Sequence, residues 1–288
     1  MRPRLRAAIV GICLVALLAV VAGIRSLPDF WQRLAGPLQQ RRLAKELYNR
    51  GYEQSSQGQY EEAIAALNKA IDLNPGYAKA YYERGWAYEN KGDLERALTD
   101  YGRAGELDPR DSEAFVARGV CYDGMGQYDR AVAEFDRAIQ INPTRAASLH
   151  FRGLAQLHKG ELGKALDDLT TSIRFDPSNS VAYSDRGLVY TEKGNYENAL
   201  ADFNRALSLD PRSAKTYRNR AFCRLATRAL DDALSDLTTA IRLDPKYAKA
   251  FRMRAGVYSL LGDAPRAKAD QERADELEGG LGKKEIRR

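Results

Sequence analysis

The chain has 288 residues and a formal net charge of +6, a basic balance that first suggests nucleic acid or an anionic membrane as partner. The two ends carry this charge, because residues 1–43 hold seven basic side chains and one acidic, and residues 280–288 hold four and one. Residues 44–279 therefore have a net charge of −3, which argues against nucleic-acid binding. Three scattered cysteines, Cys13, Cys121 and Cys223, exclude a disulfide framework.

The N-terminal end begins with a basic stretch, residues 1–6, followed by residues 7–24, which contain no charged side chain. As a helix, residues 7–24 reach about 27 Å, which is enough for a bilayer core. Because arginines precede this run, it predicts a transmembrane signal anchor with the N-terminus in the cytoplasm. A cleavable signal peptide is the alternative, since small residues around Ala22 offer a cleavage site.

Both alternatives export the rest of the chain. We expect a single-pass membrane protein with an extracytoplasmic, periplasmic region, or an exported soluble protein if the signal is cleaved. Residues 25–43 are predicted to form a juxtamembrane linker that ends in a short helix.

A strict 34-residue period organises residues 44–279. Prolines mark it at Pro75, Pro109, Pro143, Pro177, Pro211 and Pro245. With Ala44 as position one, the repeats are 44–77, 78–111, 112–145, 146–179, 180–213, 214–247 and 248–279. In the third repeat, apolar residues return at helical spacing in two segments, and Gly126 ends the first segment and Asn142-Pro143 the second. The period therefore predicts an all-α fold of helix–turn–helix repeats, followed by a disordered basic tail, residues 280–288.

Small and large residues alternate at fixed positions of the repeat. Position eight is glycine or alanine and position twenty is always alanine, whereas positions four and twenty-four are large in nearly every repeat. This pattern predicts close packing of the two helices of each repeat.

Charged residues also recur in phase. Position seven is arginine in every repeat: Arg50, Arg84, Arg118, Arg152, Arg186, Arg220 and Arg254. Position twenty-three is acidic in all but the first, which has Ala66: Asp100, Glu134, Asp168, Asp202, Asp236 and Asp270. We therefore predict a ladder of structural arginine–carboxylate pairs between the two helices of each repeat.

Two features distinguish the last repeats. Arg228 replaces the glycine that ends the first helix of the other repeats, which costs about 1 kcal/mol if the backbone there needs a positive φ. We expect raised local mobility at this turn. In the seventh repeat Gln271 stands at a large apolar position and Gly279 replaces the proline, as expected of a solvated cap.

Glycine at position eight, tyrosine near eleven, alanine at twenty and twenty-seven, an aromatic residue at twenty-four and proline at thirty-two resemble the tetratricopeptide repeat. The resemblance covers residues 44–279. It implies an α-solenoid, a right-handed superhelix of seven helix pairs, whose first helices line a groove that binds peptides or partner proteins.

The same resemblance implies that positions two, five, six, nine, twelve and thirteen face the groove. It suggests an aromatic end, an apolar middle and a basic end, suited to a peptide with apolar anchors and an acidic or carboxylate end. The candidate groove residues are Tyr48, Asn49, Tyr52, Tyr82, Trp86, Val120, His150, Leu154, Leu188, Lys215, Arg218, Asn219, Lys249 and Arg252.

No catalytic or cofactor-binding constellation stands out, and His150 and His158 lie about 12 Å apart along one helix, too far to share an ion. We therefore expect a non-enzymatic, membrane-anchored interaction scaffold without a metal or cofactor, in cell-envelope assembly, secretion or pilus biogenesis. One alternative is a cytoplasm-facing, membrane-tethered co-chaperone or receptor for acidic-ended clients. Another is a structural array that associates with itself. Neither the partner nor the oligomeric state follows from the sequence.

Overall fold

The computed structural model describes residues 27–285, with side chains for residues 36–279. The predicted membrane-spanning segment, residues 7–24, and the last three residues lie outside this part of the chain. Within the described part, every helix is too short or too polar to span a bilayer. The chain divides into two compact units, Met1–Cys121 and Tyr122–Arg288, called here the N-terminal and C-terminal units.

Residues 27–285 contain helices and turns and no β-strand. The helices are α1 (Leu27–Ser56), α2 (Tyr60–Leu73), α3 (Ala78–Asn90), α4 (Leu94–Leu107), α5 (Ser112–Gly124), α6 (Tyr128–Ile141), α7 (Ala146–His158), α8 (Leu162–Phe175), α9 (Ser180–Glu192), α10 (Tyr196–Leu209), α11 (Ala214–Ala226), α12 (Leu230–Leu243), α13 (Ala248–Leu260) and α14 (Ala264–Glu285). Each repeat is one pair of consecutive helices. The predicted all-α fold of helix pairs is therefore confirmed, whereas the right-handed superhelix stays a prediction.

Both ends differ from the sequence-based boundaries. Helix α1 begins at Leu27 and continues through Pro37 into the first repeat, where a linker with a short helix was expected at residues 25–43. Pro37 removes one backbone hydrogen bond, but the good helix formers that follow it, such as Leu38, sustain the helix. Helix α14 continues to Glu285, so the predicted disordered tail is wrong for residues 280–285. Gly279 stands where proline ends the other second helices, so this stop signal is missing.

The turns between the two helices of a repeat need a left-handed residue at position fifteen. Glycine supplies it six times, with φ between 72° and 81°. Arg228 is the one non-glycine residue among the described residues with positive φ, at 61°. The predicted strain at the sixth repeat is therefore present, because a β-carbon is disfavoured in this conformation.

Packing inside each repeat follows the predicted alternation of small and large residues. A β-carbon added at Gly187 would lie 2.8 Å from the ring of Phe203, and one at Gly153 would lie 2.9 Å from Leu169. Both large side chains are fully buried. The missing β-carbon at position eight is therefore what lets the second helix of the repeat approach the first.

The predicted arginine–carboxylate ladder is confirmed for five pairs. Position seven donates from Nε and Nη2 to both oxygens of position twenty-three at 2.6–2.9 Å, in Arg84–Asp100, Arg152–Asp168, Arg186–Asp202, Arg220–Asp236 and Arg254–Asp270. The aspartates are 2–7 % exposed, so each carboxylate is desolvated and depends on its guanidinium for compensation. Arg50 faces Ala66 and has no such partner at position twenty-three.

The same arginines also contact the preceding repeat, which was not predicted. Nη1 of Arg84 donates to Asn68 Oδ1 at 2.6 Å, and Nη1 of Arg152 donates to Asp136 Oδ1 at 2.6 Å. Equivalent bonds reach Thr170, Asn204 and Thr238, all at position twenty-five of the preceding repeat. One guanidinium therefore connects three helices within each unit.

Replacing Arg228 with glycine should stabilise the protein by about 1 kcal/mol, because glycine adopts positive φ without a steric cost. Urea denaturation measures the gain. Arg228→Ala is the matched control, since it removes the same side chain but keeps the β-carbon and should give no comparable gain. Equal effects of the two substitutions would show that the backbone conformation is not the cause.

Replacing Arg186 with methionine should lower the free energy of unfolding by about 2–4 kcal/mol, because Asp202 stays buried without its partner. Adding Asp202→Leu should recover much of this loss. The control Arg273→Met removes an arginine from the exposed Arg273–Glu276 pair and should cost less than about 1 kcal/mol. An unchanged free energy of unfolding in Arg186→Met would contradict the structural role of the ladder.

Candidate peptide-binding pockets

The N-terminal unit has a pocket between α1 and α3, of about 290 Å³. It is called here the aromatic pocket and is lined by Tyr52, Ser55, Ser56, Tyr82, Glu83 and Trp86. These residues occupy positions nine, twelve and thirteen of the first repeat and five, six and nine of the second. All six positions are among those that the family resemblance implied.

Ring contacts hold the walls of the aromatic pocket in place. Trp86 meets Tyr60 edge-on with 5.9 Å between ring centroids, and Tyr82 packs on the buried Tyr101 at 5.3 Å. Tyr101 in turn donates its hydroxyl to Glu89 at 2.6 Å. The pocket walls are therefore anchored in the core of the repeat.

A second pocket of about 260 Å³ adjoins the first and shares Tyr82 and Glu83 with it. Tyr48 lines this second pocket, and burial together with the charge of Glu83 raises the pKa of Tyr48 to about 12. Burial also raises the pKa of Glu83 itself. Glu83 thus places a partly desolvated negative charge among tyrosine rings.

The C-terminal unit has a polar pocket of about 620 Å³ near the two histidines. Its lining includes Leu154, Leu157, Leu188, His158, Asp185 and Lys215. The residues described contain no cluster of three potential ligands for a metal ion. The leucines give the pocket an apolar wall, and the other lining residues place charged side chains beside it.

Each histidine instead pairs with an aspartate of a neighbouring repeat. His150 Nε2 lies 2.8 Å from Asp185 Oδ2, and His158 Nδ1 lies 2.9 Å from Asp123 Oδ1. The bond to Asp123 raises the pKa of His158, partly opposed by burial. The histidines therefore connect consecutive repeats, which spacing along one helix could not reveal.

A further pocket of about 470 Å³ is called here the basic pocket and lies on α11 and α13. It is lined by Arg218, Phe222, Leu225, Lys249, Arg252, Met253, Gly256 and Leu260. Phe222 is 47 % exposed and Leu260 is 69 % exposed, so large apolar surface faces solvent beside three cations. Such a combination suits an apolar ligand that carries negative charge.

One cation of the basic pocket is already engaged. Arg252 Nη2 lies 2.7 Å from Glu278 Oε2 and 3.2 Å from Asp275 Oδ1, both on α14. Lys249 and Arg218 form no ion pair within the described residues. Arg218 is instead tied to Asn219, to which its Nη2 donates at 2.5 Å.

Two candidate groove residues are corrected by their burial. His150 is 6 % exposed, and Asn219 is fully buried and donates to Ser184 Oγ at 3.3 Å. Their side chains therefore connect neighbouring first helices instead of lining an open groove, because positions five and six also touch the adjacent repeat. Asn49 is exposed and Val120 is half-buried, and both lie outside the four pockets described above.

The remaining candidates fall into the pockets. Those in the N-terminal unit are Tyr48, Tyr52, Tyr82 and Trp86, and those in the C-terminal unit are Leu154, Leu188, Lys215, Arg218, Lys249 and Arg252. The sequence-based selection missed Phe222, although it stands at position nine, like Tyr52 and Trp86. Comparing this position across all repeats would have found it.

Five family models for the tetratricopeptide repeat match the chain, at residues 51–92, 78–111, 112–145, 152–214 and 187–257. The repeat region belongs to the tetratricopeptide repeat family. Tetratricopeptide repeats form a scaffold suited to protein–protein interaction, and none of the matching models indicates an enzymatic family. No curated protein is significantly similar in sequence.

Solved tetratricopeptide structures share the fold. One such protein from Parabacteroides merdae has a TM-score of 0.70 at 20 % identity, covering 82 % of this chain and 93 % of its own. PilF of Pseudomonas aeruginosa has a TM-score of 0.65 at 17 % identity, and the match covers 76 % of this chain and 99 % of PilF. YrrB, a tetratricopeptide protein with an unusual peptide-binding site, has a TM-score of 0.50 at 24 % identity, and the match covers 66 % of this chain and 97 % of YrrB. At these identities the likeness shows the fold alone.

The His158–Asp123 pair should make stability depend on pH. Because Asp123 raises the pKa of His158 above 6.5, its contribution is complete below the unfolded pKa and is lost as the pH rises through the folded pKa. The stability difference between wild type and His158→Gln should therefore be larger at about pH 5 than at about pH 8 in urea denaturation. Asp123→Asn should reduce this difference in pH dependence, leaving the smaller contribution of Asp185, whereas equal differences at both pH values would contradict the assignment.

Proposed function

We propose that the protein is a membrane-anchored interaction scaffold whose basic pocket binds an apolar peptide segment with an acidic or carboxylate end. The observation that carries the proposal is the exposed apolar surface of Phe222 and Leu260 beside Arg218 and Lys249. Burial of the two apolar side chains supplies affinity, and the cations favour carboxylates over neutral groups. The peptide-binding site of YrrB supports the proposal only as an example of this fold holding a peptide.

A labelled peptide tests the charge preference directly. The acidic peptide consists of leucine and phenylalanine residues followed by a run of glutamates with a free C-terminus. The comparison peptide has glutamine in place of each glutamate and an amidated C-terminus. Fluorescence anisotropy should show that the acidic peptide binds more tightly. The double variant Arg218→Gln, Lys249→Gln should weaken its binding by roughly tenfold, about 1.4 kcal/mol.

The matched control is Arg212→Gln, Lys246→Gln, which removes two exposed cations outside the pocket and should leave binding unchanged. Phe222→Ser should weaken both peptides, because it removes apolar contact area. Circular dichroism verifies that each variant is folded. If the acidic peptide binds no better than its glutamine version, the proposed ligand class is wrong.

Membrane anchoring by residues 7–24, with the repeats outside the cytoplasm, is the second part of the proposal. The arginines of residues 1–6 and the uncharged run support it. A reporter enzyme active only outside the cytoplasm, fused after Arg288, should be active. Activity of a cytoplasm-dependent reporter alone would favour the cytoplasm-facing alternative, and N-terminal sequencing of the mature chain separates an anchor from a cleaved signal.

The cellular setting is the third part of the proposal. We propose cell-envelope assembly, secretion or pilus biogenesis, because an anchored interaction scaffold outside the cytoplasm could serve any of them. If the reporter places the repeats in the cytoplasm, this setting fails together with the orientation.

A further inference from the structure

The aromatic pocket contains two polar groups that lack a partner. Ser55 is 2 % exposed, and its Oγ makes no hydrogen bond in the described part of the chain. Glu83 lies in the same wall on α3, and among residues 36–279 no cation pairs with its carboxylate. A buried hydroxyl without a partner costs free energy, and a partly desolvated carboxylate is stabilised by a nearby cation, so the two groups together favour a ligand that is positively charged and donates hydrogen bonds.

Aromatic rings surround these two polar groups. Tyr52 is 53 % exposed at the edge of the pocket, and Trp86 forms part of its wall. Elsewhere in the N-terminal unit arginine side chains stack on such rings, as Arg96 does over Tyr88 at 4.5 Å from the ring centroid. Tyr52 stacks with Tyr48 at 6.5 Å between ring centroids, and Tyr60 meets Trp86 edge-on, but no cation lies over Tyr52 or Trp86 among the described residues. A ligand cation therefore meets no competing cation at these two rings.

The charge of the aromatic pocket favours a positively charged ligand. Its only ionisable side chains are Glu83 and the tyrosines Tyr52 and Tyr82, so the pocket is anionic when Glu83 is deprotonated. The neighbouring pocket shares Glu83 and adds the carboxylate of Asp111 and the ammonium of Lys79. A cation therefore gains Coulomb energy here, in contrast to the basic pocket of the C-terminal unit.

We propose that the aromatic pocket binds the guanidinium of an arginine side chain from a partner polypeptide, which rests on the proposed function because it assumes a polypeptide ligand. A guanidinium is planar and stacks on Trp86 and Tyr52 while its N–H groups reach the Glu83 carboxylate and the Ser55 hydroxyl. Lysine presents a compact, strongly hydrated ammonium that matches rings and two acceptors less well. A volume of about 290 Å³ suits one side chain, not a whole helix.

The indole resonance of Trp86 provides the test. In a Trp31→Phe background Trp86 is the one remaining tryptophan of the chain, so its indole signal needs no further assignment. Acetylarginine amide should shift this signal saturably, whereas acetylcitrulline amide, its neutral isostere, should not. The lysine analogue should bind several-fold more weakly. Equal binding of citrulline, or lysine binding as tight as arginine, would overturn the guanidinium assignment.

Substitution of Glu83 shows whether the arginine probe binds at this carboxylate or responds only to the net charge of the protein. Glu83→Gln should weaken the arginine probe by roughly tenfold, whereas Glu95→Gln, an exposed acid on α4 with the same change of charge, should leave it unchanged. Circular dichroism should show that both variants are folded at the temperature of the titration. Equal losses of affinity in the two variants would show that only the net charge of the protein matters, and would overturn the proposal.

Peptides separate this inference from the proposed function. A peptide with a single arginine and its citrulline version are titrated in the same way. If the single-arginine peptide binds through Glu83 but the acidic peptide does not bind, the aromatic pocket assignment stands and the proposed function of the basic pocket fails. If the free arginine probe binds but the single-arginine peptide does not, a partner polypeptide is the wrong ligand and this inference fails. If the acidic peptide binds the basic pocket but arginine has no effect at Trp86, the scaffold stands and this inference fails.

Discussion

The arginine at position seven is the constraint on which five of the helix pairs depend. Its guanidinium donates two hydrogen bonds to a buried aspartate of its own repeat and a third to position twenty-five of the preceding one, as Arg152 does with Asp168 and Asp136. A buried carboxylate is costly without this partner, and lysine could not replace a planar fork that serves three helices. Because glycine follows arginine in most repeats, the fixed contact lies where the helices approach most closely.

This arrangement leaves the pocket-lining positions of the first helix free to differ between repeats. In the N-terminal unit they supply Tyr52, Glu83 and Trp86, and in the C-terminal unit Phe222 and Lys249. The two sets differ in charge and chemistry, although the helices that carry them are equivalent. The two candidate pockets therefore differ through the variable positions, and the shared fold does not identify a ligand for either.

Most of the fold could be predicted because the same local sequence signals recur in every repeat or nearly every repeat. Glycine at position fifteen and proline at thirty-two delimit the helices, and the missing proline at Gly279 explains why α14 continues. The pairs His158–Asp123 and Arg252–Glu278 could not be predicted, because they join residues on different helices and depend on tertiary geometry. Positions five and six were ambiguous for the same reason: Asn219 supports the neighbouring helix, whereas Glu83 at the equivalent position lines a pocket.

The engagement of Arg252 by α14 changes how the basic pocket can work. In the proposed complex, a ligand carboxylate competes with Asp275 and Glu278, which already form ion pairs with the guanidinium of Arg252. The net gain from that exchange is small, because one exposed ion pair replaces another. In the proposed complex, contact with Phe222 and Leu260 supplies most of the affinity, while Lys249, which has no ion pair within residues 36–279, orients the ligand and favours an acidic end.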